Sequence, residues 1–174
     1  VHLNPYGADA VALAVDLVNS KPVTVEELVR RCTDAGLVVD QPVEAEDLDR
    51  TLALLRDWER VVDADEPSRV ELVNRRLAEA AAYPRLTDHA GDGWHLHYRD
   101  DEASFVEMLN SVIFVGTALH LVGRGMHRLG RCGLDECDRV YADTSRGGRQ
   151  RYCSPRCANR DAVRRHRTRS RPRP

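Results

Sequence analysis

Apolar residues recur at helical spacing through most of the first 130 positions. Ala10, Leu13, Ala14, Leu17 and Val18 fall on one face and predict a helix over 8–19, ended by Asn19-Ser20 and Pro22. Thr24 with Glu27 three residues on is a capping box for a second helix reaching about Ala35, with Leu28, Val29 and Cys32 inward and Gly36 as its C-cap. Leu48, Leu52, Leu55, Trp58 and Val62 predict a third helix over 44–64. Pro67 opens a fourth, with Val70, Val73, Leu77 and Ala81 inward and Pro84 as its stop. Arg85 to His89 and Trp94 to Arg99 then bracket Gly91-Asp92-Gly93 and predict a β-hairpin. A long helix over 103–129 follows, with Val106, Leu109, Ile113 and Met126 at core spacing. Its longest apolar stretch, Val112 to Val122, is interrupted by Thr117 and His120 and is shorter than the roughly 20 residues that span a bilayer. A buried helix is expected there, and no membrane partner.

After residue 130 the pattern changes. The last 44 residues hold too few apolar side chains to fold on a core of their own. They hold instead four of the chain's five cysteines: Cys132 and Cys137, then, after fifteen residues, Cys153 and Cys157. Two close pairs joined by a hairpin-sized segment are the pattern of a structural zinc site, because thiolates bind Zn²⁺ well and four of them complete its tetrahedron. A catalytic zinc keeps one position open, which four thiolates would close. Two disulfides are the rival, but no secretory signal is visible and thiols in a reducing compartment stay reduced. Cys32 stands apart and reads as a core thiol.

Within this module, 138–143 and 149–152 read as two short strands about the Gly147-Gly148 turn. Ser154 as N-cap and Pro155 at the first helical position start a helix to about Arg169. Ala158, Ala162 and His166 form a narrow stripe expected to lie on Val140 or Tyr152. The expected fold is mainly α: a helical domain with a small β-hairpin over 1–130, then a treble-clef-like zinc module of hairpin plus helix over 131–174.

The net charge of −2 conceals an asymmetry. Residues 1–130 carry 13 basic and 23 acidic side chains, and residues 131–174 carry 13 arginines and 5 acidic residues. Four zinc thiolates would lower the +8 of the module to about +6, still suited to a polyanion. Arginine forks phosphates and guanine edges bidentately. Arg160, Arg164 and Arg167 line one side of the last helix with Arg165 beside them, Asn159 among them is a candidate adenine reader, and Arg146, Arg149 and Arg151 would add phosphate contacts from the hairpin. Double-stranded DNA is therefore the expected partner. A protein-interaction adapter with an acidic partner and an RNA-binding protein are the alternatives. A single small module binds weakly, so a homodimer is a candidate assembly.

Other polar residues carry less. Asp16 and Asn19, one turn apart on an apolar helix, are candidates to line a small-molecule effector pocket, although a solvated face and a helix-ending Asn explain them as well. His95 and His97 would share a strand face without a clearly placed third ligand, and His120 and His127 would share a helix face as packed residues. No nucleophile elbow, P-loop or dinucleotide fingerprint is present, so no enzyme is expected.

The segments Tyr141-Ala-Asp143-Thr-Ser145-Arg146, Arg151-Tyr152-Cys153-Ser154 and Cys157-Ala158-Asn159-Arg160 resemble the CGNR zinc-finger family, with Tyr141, Tyr152 and Ala158 where that family has Phe, Trp and Gly. Leu13 to Ser20 is similar to the opening helix of the ABATE domain, which precedes this finger in bacterial proteins. The resemblance covers nearly the whole chain. It implies a cytoplasmic, stress-linked bacterial transcription regulator that holds one structural zinc and binds DNA through the finger.

Overall fold

The computed structural model describes residues 8–80, 83–87, 95–100 and 102–169. Six helices and two short hairpins follow in order: α1 Ala8–Asn19, α2 Val25–Asp34, α3 Ala45–Asp63, α4 Glu66–Ala80, β1 Arg85–Thr87, β2 His95–His97, α5 Phe105–Arg124, β3 Leu129–Arg131, β4 Val140–Ala142 and α6 Pro155–Arg169. A 3₁₀ turn, Met126–Arg128, joins α5 to β3.

The helix α5 is the axis of the fold and packs against α1, α3 and α4. Its start is written locally: the Ser104 hydroxyl accepts from the Glu107 amide, and the Glu107 carboxylate accepts from the Ser104 amide at 2.8 Å. It ends at Arg124 rather than at the expected Leu129, because Gly125 takes φ 114°, outside the range other residues adopt readily. His127 consequently does not share a helix face with His120. By length and composition α5 could cross a membrane, and 72% of its most apolar window is buried inside the protein. Its two polar interruptions are inside too. Thr117 accepts from the Trp58 indole at 2.9 Å, and His120 is fully buried.

The predicted faces of α1, α2 and α3 are the buried ones, centred on Leu17, Leu28, Leu55 and Trp58. At the end of α2 the Leu37 amide reaches back to Cys32 O, with Gly36 at φ 83° between them. On α4 the expectation is corrected by one residue. Val70 is exposed and Arg69 is buried. The Arg69 guanidinium donates to Val61 O, Val62 O and Ala64 O, the free carbonyls at the end of α3, and to Met126 O. A cation at a helix C-terminus is stabilised there, and only a long side chain reaches it. Arg69→Ala leaves those carbonyls without donors and is expected to cost about 2–3 kcal/mol in urea unfolding. An unchanged midpoint would show that water replaces the guanidinium.

β1 and β2 pair antiparallel, with Leu86 opposite Leu96. The turn expected at Gly91-Asp92-Gly93, and Ala81 at the end of α4, lie outside the described residues.

The second hairpin is the main departure from the sequence-based picture. β4 pairs with β3, in the register Leu129–Ala142, Gly130–Tyr141 and Arg131–Val140, and 149–152 is not a strand. The cysteine knuckle 132–137 therefore lies in the connection between the two strands. The stem is anchored in the helical domain: β3 packs on α3 and β4 on α1, and Leu129 and Val140 belong to the main core. The domain boundary expected at 130/131 falls inside β3.

Candidate metal centre and nucleic-acid interface

The sulfurs of Cys132, Cys137, Cys153 and Cys157 lie within 4.8 Å of one another. Cys137–Cys153, Cys153–Cys157 and Cys137–Cys157 are 3.7, 3.7 and 3.8 Å apart. A tetrahedron of thiolates at Zn–S bonds of about 2.3 Å has edges of about 3.8 Å, so the spacing is that of a zinc site. Disulfide sulfurs would stand at about 2 Å, and all five cysteines are free. No other group with metal-binding geometry occurs among the described residues, His97 included. The chemistry fits: four thiolates close the shell, and the site is structural, one zinc per chain.

Each ligand is positioned by its own element. Cys132 follows β3, and its amide donates to Arg139 O across the knuckle at 2.8 Å. Gly133 follows; its amide donates to Arg151 O at 2.6 Å, and a Cβ there would stand 2.9 Å from that oxygen. Only glycine fits this approach. The Cys153 amide donates to the Cys132 sulfur at 3.4 Å. The Ser154 hydroxyl caps α6 as the sequence predicted, accepting from the Cys157 amide at 3.3 Å. That hydroxyl also holds the Cys157 thiol below its usual value, while burial raises the Cys153 thiol beside it. Leu134, almost wholly buried, fills the space beside the sulfurs, with Tyr152 against it.

The inward face of α6 differs from the expected one. Ala162 and His166 are exposed, whereas Cys157 and Asp161 point inward. Zinc ligation fixes Cys157, and Asp161, one turn on, follows it to the same side. There its carboxylate accepts from the Tyr152 hydroxyl at 2.5 Å, from Arg164 at 2.8 Å and from Arg165 at 2.8 Å. These donors, led by the Tyr152 hydroxyl, hold the Asp161 carboxyl below the usual range. Asp161 is the residue that sequence reading passed over; its signal was a lone acid within an arginine-rich helix.

The expected contact arginines separate into two groups. Arg164 pairs with Asp135 and Asp161, and approaches Glu136 at 3.8 Å, tying α6 to the knuckle. Arg165 is spent on Asp161. Arg156, Asn159, Arg160, Val163 and Arg167 line an open groove of ≈ 940 Å³ with Leu134, and the paired Arg164 and Glu136 also border it. Beyond Asp161 this helix is partly covered at Arg164 and exposed from Arg165 to Thr168.

Arg146, Arg149 and Arg151 are exposed on the segment after β4. Asp143 organises that segment: its carboxylate accepts from the Ser145 amide at 2.8 Å, the Ser145 hydroxyl at 2.5 Å and the Gln150 amide at 3.0 Å. Burial would raise its pKa, but these hydrogen bonds and Arg128 outweigh it and hold the carboxyl below the usual range. The other side of the loop is held from α5 and the turn after it. Arg124 donates to Thr144 O and Arg128 to Ser145 O, both at 2.8 Å.

Asp16 and Asn19 do not share a pocket. Asp16 lines a polar cleft between α1 and α2, where it accepts two bonds from the buried Arg31, at 2.9 and 2.6 Å. Asn19 faces the other way and grips β4. Its amide donates to Val140 O at 2.9 Å and its oxygen accepts from the Val140 amide at 2.8 Å, as a neighbouring strand would. Asn19→Ala leaves both backbone groups unpaired beneath α1. We expect a loss of about 2 kcal/mol by urea denaturation, with faster amide exchange at Val140. Wild-type exchange at Val140 would show that the joint does not depend on this side chain.

Comparison with known proteins agrees with this anatomy. The ABATE family, described as "Putative stress-induced transcription regulator", matches residues 11–129, and the CGNR zinc finger matches residues 128–170. No curated protein matches the chain. The two matches meet at the end of the turn between α5 and β3, where the structure joins the helical core to the finger. The chain belongs to the ABATE family and carries a CGNR zinc finger at its C-terminal end.

Proposed function

We propose that this chain is a DNA-binding transcription regulator in which the zinc finger presents α6 and the loop after β4 to duplex DNA. The observation that carries the reading is the division of the arginines. Those that build the finger are paired with carboxylates, whereas Arg156, Arg160 and Arg167 line an open groove on a helix that is exposed from Arg165 to Thr168. An α-helix of this kind fits the major groove, and guanidinium groups on its flank meet the phosphates. Arg146, Arg149 and Arg151 extend the basic surface on the adjoining loop. An RNA single strand would need exposed rings to stack on. In the finger Tyr141 and Tyr152 are half-buried, and Tyr152 is bonded to Asp161.

The helical domain serves as the regulatory half in this reading, as an effector sensor or a dimerisation surface. The cleft of ≈ 620 Å³ lined by Asp16, Arg30 and Arg31 supports the first role. The exposed Leu86 and Leu96, paired across one hairpin with Tyr83 nearby in sequence, support the second. The proposal assigns no catalytic step to the chain and places it in the cytoplasm with its DNA.

The test is titration of the zinc-loaded chain into a fluorescent 30-base-pair duplex across a range of salt. Counterion release predicts that log K falls linearly with log salt, with a slope of about −0.9 per phosphate neutralised. A salt-independent affinity, or none at low salt, would refute the proposal.

A further inference from the structure

The groove on α6 contains one residue that phosphate binding does not explain. Val163 is 50% exposed on a helix that is otherwise strongly polar, and it packs in neither hydrophobic core. It shares a face with Arg156, Asn159, Arg160 and Arg167, at the i, i+3, i+4, i+7 and i+11 positions of one stripe. Asn159 is exposed too. On the acidic side of the groove Arg164 pairs with Asp135 and stands 3.8 Å from Glu136. The open wall of the groove thus carries Arg156, Arg160 and Arg167, with one amide, Asn159, and one branched apolar side chain, Val163, among them.

We infer that this stripe reads base edges in the major groove, with Asn159 on an adenine and the Val163 methyls on the 5-methyl group of a thymine. The inference rests on the DNA reading given above and deepens it. The chemistry follows from the two side chains. A carboxamide matches the N6 donor and N7 acceptor of adenine, and an aliphatic side chain contacts the thymine methyl, the one apolar feature of the major-groove edge. The geometry follows from the helix. Four residues rise about 6 Å, which spans about two base-pair steps, so the two readers address neighbouring pairs. Arg156 and Arg167 lie about 16 Å apart along the axis and flank them, placed for the phosphates on either side. The occupant is a duplex rather than an acidic peptide because arginines recur along the whole stripe, as a row of phosphates requires, and because α6 is exposed from Arg165 to Thr168 and can enter a groove.

The experiment is selection of a random duplex pool by the zinc-loaded full chain, followed by affinity measurements on the enriched site. In that site each thymine is replaced in turn by deoxyuridine, which lacks only the methyl group. Wild type is expected to lose about fourfold at one thymine, the value of one buried methyl group, and Val163→Ser is expected to bind the two duplexes equally. Asn159→Ala should lose its preference at one adenine within about two steps of that thymine. Val163 is half-exposed, so Val163→Ser should keep one zinc per chain, which metal analysis checks. Two results overturn the inference while leaving DNA binding in place: an enriched site indifferent to every deoxyuridine replacement, or salt-dependent binding with no enriched site. Absence of duplex binding overturns both, and leaves the groove to an acidic peptide.

Discussion

Cys137→Ala is expected to abolish stoichiometric zinc binding and release α6 from the molecule, while the β3–β4 stem stays folded. The structure separates what zinc holds from what the core holds. Val140 and Leu129 sit in the main core, Asn19 bonds both backbone groups of Val140, and Arg131 forks Asp63 at 2.7 and 2.8 Å. None of these depends on metal. Besides its cysteine, α6 is held to the finger by the Leu134 contact, the Tyr152–Asp161 bond and the Arg164–Asp135 pair. Zinc in small fingers supplies about 10–16 kcal/mol of apparent binding energy, far more than an exposed ion pair contributes. Metal analysis should fall from one zinc per chain to a small fraction. Amide exchange should become fast through the knuckle and from 151 to 169, and remain slow in α5, β4 and the loop held by Asp143, Arg124 and Arg128. Protection of α6 in the zinc-free variant would contradict this account.

The second large effect concerns the free arginines. Arg156→Ala, Arg160→Ala and Arg167→Ala together should weaken duplex binding by about 100-fold near physiological salt and flatten the salt slope by about three charges, with zinc content unchanged. All three are exposed and unpaired among the described residues, so their removal takes nothing from the fold. Arg164→Ala provides the contrast. It should loosen the joint between α6 and the knuckle, seen as faster exchange at 135–137, with a smaller change in the salt slope. If Arg164→Ala matched the triple variant in slope, the division between structural and contact arginines would be wrong.

Much of this anatomy was written locally in the chain. The helix faces of α1 to α3 follow from apolar spacing, and the ligand set follows from four cysteines in two close pairs. The start of α6 follows from Ser154-Pro155. What escaped depended on partners distant in sequence. β3 has only three residues and gains strand form by pairing with β4 across the knuckle, so 149–152, just beyond the Gly147-Gly148 turn, looked the better partner. Arg69 and Asn19 are polar, and polarity suggests the surface, but each is drawn inward by unpaired backbone groups on another element. The arginines of α6 looked alike, and the carboxylates of Asp135 and Asp161 distinguish them only once the knuckle and helix have met.

The domain arrangement has a consequence for regulation. The loop that carries Arg146 and Arg149 is held by Arg124 and Arg128, from the end of α5 and the turn after it, and the knuckle is held by a stem rooted on α1 and α3. A shift of α5 or α1 in the helical domain would therefore move both halves of the basic surface. The coupling needs no flexible linker, because the core of one half contains the strands of the other.

The most direct test of the central claim is a titration of the isotope-labelled, zinc-loaded chain with a duplex, followed by amide shifts. The account predicts that the largest changes fall on 156–167 and 146–151, with smaller ones at the β3–β4 stem. Changes confined to the helical domain, or spread evenly with none on α6, would contradict it.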